Sequence, residues 1–274
     1  MSLNVLNEIA DKFPRSPRMP VLFLGHGSPM NAIEENEFVA GFRRIAARLP
    51  RPVAILCISA HWETRGTQLT ATEIPETIHD FGGFPRELYE VKYPAPGSPA
   101  LAMLARETVS SHELTLDHSW GLDHGAWSVL RHLYPEADIP VVQMSLDYMQ
   151  NPEYHYDLAR QLQPLRERGV LIVGSGNMVH NLRMLDWNKM DHVYAYDWAI
   201  EAADKMRRYI LEGDHKSLIK FRCHGKAFDY AIPTPEHYLP LLYAVGLQYS
   251  GEGIELFNDM SLGGSLTMTS LKIG

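Results

Sequence analysis

Apolar, β-rich runs recur along this chain at 20–24 (PVLFL), 53–60 (VAILCISA), 67–72 (TQLTAT), 139–146 (IPVVQMSL), 170–174 (VLIVG) and 265–273 (SLTMTSLKI), with helical patterns between most of them. Three are continuously apolar, as strands covered on both faces must be. The intervening segments carry helical periodicity. Phe38, Phe42, Ile45 and Leu49 form one stripe over 37–49, which Pro50 stops. Over 152–168, Asn151 caps, Pro152 suits the first turn, Leu158, Leu162 and Leu165 form the stripe, Pro164 bends the helix and Gly169 ends it. Further helices are expected near 99–111, 125–133, 191–211 and 236–246. Strands alternating with helices predict an α/β fold with a central, mostly parallel or mixed sheet flanked by helices. The Pro- and Gly-rich stretch 75–99 reads as a long loop, and loops of that length in compact domains are often functional.

No repeat, low-complexity tract or linker divides the 274 residues, so one catalytic domain over 1–274, with residues 1–18 as an N-terminal extension, is expected. A formal charge of −8 without a Lys/Arg run argues against nucleic acid. The first twenty residues lack a leader's apolar stretch, and no segment has the roughly 20 apolar residues of a membrane span. A cytoplasmic protein acting on a small molecule is the expectation. With two cysteines against thirteen histidines, any bound metal must be held by imidazole and carboxylate.

In open α/β sheets ligands gather outside the carboxyl ends of the strands. His26 follows PVLFLG, His61 follows VAILCISA, and His180 lies just past VLIVG in GSGNMVHN, so three apolar strands each deliver a histidine to one end. Around His26, Gly25 and Gly27 are expected to let the backbone turn sharply; Gly174 and Gly176 are expected to permit a tight strand exit. His124, in WGLDHGAW, has Trp120 and Trp127 as an expected aromatic wall, with Asp123 as a helix cap. His237, in PTPEHYLP, sits where Thr234 or Pro235 opens a helix. His79 and His118 are read as loop residues. His112, His132, His155, His192, His215 and His224 are read as surface, and Cys57 as core. GxGxxG, GxSxG and HExxH are absent. What remains is the donor chemistry of zinc or non-haem iron(II).

Taken together, LFLGHGSPM, SAHW, TIHDFGGFP, YPAPGSP, WGLDHGAW, GSGNMVHN and PTPEHYLPLLY resemble the class III extradiol ring-cleavage dioxygenases, specifically the 4,5-DOPA dioxygenase extradiol branch, from about Met19 onward. The resemblance implies one divalent metal ion per chain, Fe(II) for activity or Zn(II) as bound, at the carboxyl ends of the strands. His26 and His61 would be ligands, with His237 as the third and Glu236 as its alternative. His180 would be a further ligand or the acid/base, and His124 would face the substrate as the second acid/base candidate. The implied partners are an o-diphenol such as 3,4-dihydroxyphenylalanine and dioxygen, with a ring-opened semialdehyde as product. The alternative from a different class is a zinc-bound member without oxygenase activity, either a hydrolase or a metal-dependent binding protein. Neither the oligomeric state nor a residue holding the catechol's substituent can be read from these motifs.

Overall fold

A computed structural model describes residues 11–190 and 192–274; residues 1–10 of the expected N-terminal extension, and residue 191 of the helix expected over 191–211, lie outside the described residues. The fold is built on one mixed sheet of β1 (Val21–Gly25), β2 (Ala54–Thr64), β3 (Thr67–Thr70), β4 (Leu114–Asp117), β5 (Val141–Asp147), β6 (Val170–Gly176), β7 (Ile254–Phe257) and β10 (Ser270–Ile273). Their order is β4-β3-β5-β2-β6-β1-β10-β7. The centre, β5-β2-β6-β1, is parallel; β3 against β5, and β10 against β1 and β7, are antiparallel. A separate two-stranded sheet joins β8 (Ser261–Leu262) to β9 (Leu266–Thr267).

The continuous apolar runs follow from burial on two sides. Val21, Phe23, Leu56, Ile58, Val170 and Ile172 face one core; Leu22, Leu24, Ile55, Cys57, Leu171 and Val173 face the other. The second core is covered by α1 (Glu37–Ala46) and α3 (His124–Leu133), the first by α2 (Pro99–Thr108), α4 (Pro152–Leu162), α5 (Asp197–Glu212) and α6 (Leu239–Gly246). Phe13, within the expected extension, packs into the first core. No helix among the described residues is long and apolar enough to cross a membrane.

The expected α/β sandwich is therefore present, with local departures. The helix expected over 152–168 changes at Gln163 from α to 3₁₀, where Pro164 cannot donate, and Gly169 closes it at φ +71°. The run 265–273 is split into β9 and β10 because the chain changes sheets between them. The helix expected from 236 opens at Leu239. The short strands β4 and β7 and the helices His215–Ile219 and Lys226–Ala231 had no legible signal, since four to six residues carry little periodicity.

His155 and His132 correct the reading of both as surface residues: they are 0% and 7% exposed. His155 meets the Tyr243 hydroxyl at 3.1 Å beneath α6, and His132 donates to the Asn31 carbonyl at 2.7 Å. Burial, partly offset by Asp147, holds the His155 pKa down to about 4. The folded chain therefore keeps this ring neutral while the unfolded chain protonates it below its ordinary 6.5. Stability from this residue is complete above pH 6.5 and lost as the pH falls toward 4, by about 3 kcal/mol. Urea denaturation should show the native chain losing that much more than His155→Gln between pH 7.5 and 4; parallel curves would refute it.

Candidate metal centre

Three parallel strands place the site. His26 is the first residue beyond β1, and its backbone N–H donates to the Gly176 carbonyl at the end of β6 at 3.1 Å. His61 lies inside β2, which continues to Thr64 rather than stopping at 60. The pairing of β2 with β5 shifts register between Ile58 and Glu63, and that irregularity accompanies the turn of His61 toward the cleft. His237 precedes α6, with its carbonyl accepting from the Asn177 N–H at 2.8 Å. A Cβ on Gly176 would sit 2.2 Å from that carbonyl oxygen, so this glycine permits close approach of two backbones from within the strand. The expected turn at the first motif belongs to Gly27 alone, at φ +63°; Gly25 is strand, and its missing Cβ admits the Met268 backbone.

His26, His61 and His237 converge with ligand atoms all within 4.8 Å of one another. The closest pair, His26 Nε2 and His61 Nε2, is 3.2 Å apart. Ser175 Oγ donates its one proton to the Gly125 carbonyl at 2.5 Å, so at 3.0 Å it accepts from His26 Nδ1–H. His61 Nδ1 faces Asp80 Oδ2 at 3.6 Å, and His237 Nδ1 donates to Glu236 Oε1 at 3.2 Å. His26 and His237 thus turn their Nδ1 protons outward, the Asp80 charge favours the same tautomer of His61, and the Nε2 atoms of His26 and His61 face one another. A cation between them suits this arrangement, since 3.2 Å fits two imidazoles bound at about 2.1 Å to one ion. The donor set fits a divalent metal.

His180 lies parallel to His237, with ring centroids 3.5 Å apart. It groups with Glu236 and His237 as possible donors rather than with His26 and His61. His124, the first residue of α3, has its ring centroid 3.9 Å from that of His61. Asp123 caps α3 through the Ala126 N–H, so it is a cap while His124 is also part of the site. Asp80 Oδ1 accepts the His124 backbone N–H at 2.9 Å, and Asp80 Oδ2 is 2.9 Å from His124 Nδ1.

Burial, followed by the neighbouring imidazoles, pushes His26 and His237 well below the usual histidine range. His61 is lowered to about 3 by burial and then His124, and His180 to about 4 by burial. All four rings are neutral at pH 7, the form that binds a metal. Burial would raise the Asp80 carboxyl, but His124 and then His61 outweigh it and hold it low. Asp123, fully buried and beside Asp80, is raised to about 6 even though Ser59 and Gln143 donate to it.

These histidines open into a cavity of about 230 Å³, enough for a substituted aromatic ring, given that a cavity of about 150 Å³ holds benzene. His26, His61, His124, His180 and His237 line its floor; Phe81, Phe84, Leu182, Leu185, Trp187, Met190 and Leu266 are among its walls. The expected aromatic wall of Trp120 and Trp127 is corrected: Trp120 stacks on Trp62, and Trp127 is core. Trp120 lies in the loop before α3, and Trp127 Nε1–H donates to the Ile78 carbonyl at 2.8 Å beneath the loop. The aromatic wall comes instead from the FGGF stretch of the 75–99 loop, whose two phenylalanines in a glycine-rich loop were the available signal. His79 donates to the Val91 carbonyl and His118 is exposed; neither lines the cavity. No Lys or Arg is among the described lining residues, and Arg86 pairs with Glu90 at the surface.

Residues 19–258 match the family described as the catalytic LigB subunit of aromatic ring-opening dioxygenase. A 4,5-DOPA dioxygenase extradiol of Escherichia coli (strain K12) is 45% identical over 97% of this chain and 98% of its own length. One of Beta vulgaris is 36% identical over 91% of this chain and 94% of its own. The crystal structure of an uncharacterized protein from Escherichia coli K12 superposes with a TM-score of 0.80 at 40% identity, covering 94% of this chain and 100% of that one.

Proposed function

The chain belongs to the family of the catalytic LigB subunit of aromatic ring-opening dioxygenases, and from that premise we propose that His26, His61 and His237 hold one iron(II) ion at which a 3,4-dihydroxyphenylalanine-like catechol is opened. It is an extradiol aromatic ring-opening dioxygenase acting on a catechol with dioxygen. The metal, when bound, supplies open positions for both catechol oxygens and dioxygen and acidifies the coordinated hydroxyl.

The protein's own groups do the rest. Ser175, Asp80 and Glu236 keep the Nδ1 protons of His26, His61 and His237 turned outward, which fixes each Nε2 toward the centre. Phe81 and Phe84 close an apolar wall that holds the ring and excludes water. His180, neutral and half-buried against His237, takes the second catechol proton and returns it later; His124 faces the substrate from the other side. The observation that carries this reading is the convergence of the His26, His61 and His237 ligand atoms within 4.8 Å, with His26 Nε2 3.2 Å from His61 Nε2 and His26 Nδ1 hydrogen-bonded to Ser175. Glu236 supports the assignment as the hydrogen-bond partner of His237 and lies outside the triad of converging donors. The hydrolytic or binding alternative finds no support in the relatives' names.

Anaerobic loading with Fe(II) or Zn(II), followed by 3,4-dihydroxyphenylalanine and air, tests the proposal. The iron form should take up one dioxygen per catechol and produce a yellow semialdehyde, and the redox-silent zinc form neither. An iron-loaded protein that consumes no dioxygen with a panel of substituted catechols would defeat it.

A further inference from the structure

We propose that Asp80 is a positioning residue serving two rings at once, a metal-binding imidazole and a substrate-facing one. Its Oδ2 lies 2.9 Å from His124 Nδ1 and 3.6 Å from His61 Nδ1, while Oδ1 accepts the His124 backbone N–H at 2.9 Å. The side chain is 19% exposed, so its charge is poorly screened. The carboxylate at 2.9 Å disfavours a lone pair on His124 Nδ1, and at 3.6 Å its charge biases His61 the same way, so both rings are set to carry the proton on Nδ1 and present an unprotonated Nε2. For His61 that atom is the one 3.2 Å from His26 Nε2. For His124, which lines the cavity, it is the nitrogen free to accept a proton from substrate. The His124 N–H is not aligned with the carboxylate, so charge rather than an in-line hydrogen bond sets the tautomer.

One anion therefore couples the readiness of the metal site to that of the substrate pocket. Asp80 also immediately precedes Phe81 on the loop that forms the aromatic wall. That loop is held independently, since Trp127 Nε1–H donates to the Ile78 carbonyl at 2.8 Å and the Ile78 N–H to the Leu122 carbonyl at 2.7 Å. Replacing the charge should accordingly leave the loop in place.

The inference rests on the reading of His61 as a ligand, and its test has arms that do not need turnover. In Asp80→Asn, which is isosteric and keeps an acceptor for the His124 backbone, the Kd for Zn(II) from competition titration should rise 10–100-fold. In the metal-free protein, ¹⁵N spectra of the imidazoles should show His124 leaving the Nδ1–H form. At full iron loading kcat should fall about 10²-fold with KM within about threefold, since the group acts on proton handling rather than on substrate affinity. A native zinc Kd, a native His124 tautomer or a native kcat in the variant would each overturn the proposal. If the native chain binds zinc but opens no catechol, the oxygenase reading fails while the zinc and tautomer arms still decide the role of Asp80.

Discussion

His26→Ala should lose metal and ring cleavage together, with activity down by more than about 10³-fold and no metal retained after gel filtration. Loss of an outer hydrogen-bond partner alone typically costs 10–100-fold, and removal of a ligand costs more. The effect should be local. His26 is 2% exposed and held neutral against its ordinary tendency by burial and by His61, so the metal-free native protein already bears the cost of three crowded imidazoles. Deleting one ring forfeits packing and leaves Ser175 without its donor, yet relieves that crowding, and the variant should fold within about 1–2 kcal/mol of the metal-free native chain. His61→Ala and His237→Ala should behave alike. Metal analysis with circular dichroism on all three checks this, and a single variant that keeps both metal and turnover would remove its residue from the centre.

The sequence made these histidines legible because the sheet is legible. Continuous apolar runs admit few readings other than central strands, and a polar residue at the end of such a strand reaches the cleft by geometry alone. His26 and His180 are legible in this way, whereas His61 reads as lying past its strand, since a strand that continues through an irregularity looks like one that has ended. Residues whose roles depend on tertiary approach were harder to see. Gly176 reads as a turn former until the His237 carbonyl is found where its Cβ would be. His155 reads as a helix surface residue because Tyr243, its partner, is 88 residues away. Asp80 was hidden in plain view beside His79: only the folded loop shows that the carboxylate, not the imidazole, faces the centre. Trp120 and Trp127 drew the eye by size, yet large aromatics are more often core than pocket, and here the walls are Phe81 and Phe84.

His180→Gln is the substitution that separates ligand from proton carrier, and kcat should fall about 10²–10⁴-fold while metal content stays native. His180 is held rigidly: its backbone N–H donates to the Ala231 carbonyl at 2.9 Å, and its ring lies flat on His237. Lying parallel to His237, the His180 ring does not converge with the other donors, and His180 is outside the triad of mutually close donors. Burial keeps it neutral down to about pH 4, so in the physiological range it is an acceptor awaiting a proton rather than a cation repelling the metal. Glutamine preserves size and polarity without basicity, so KM should move less than kcat. His124→Gln should cost less if His180 is the principal proton acceptor, since His180 remains. If His180→Gln instead loses the metal, His180 is a fourth ligand and His124 inherits the proton; if it retains native kcat, neither role is its own.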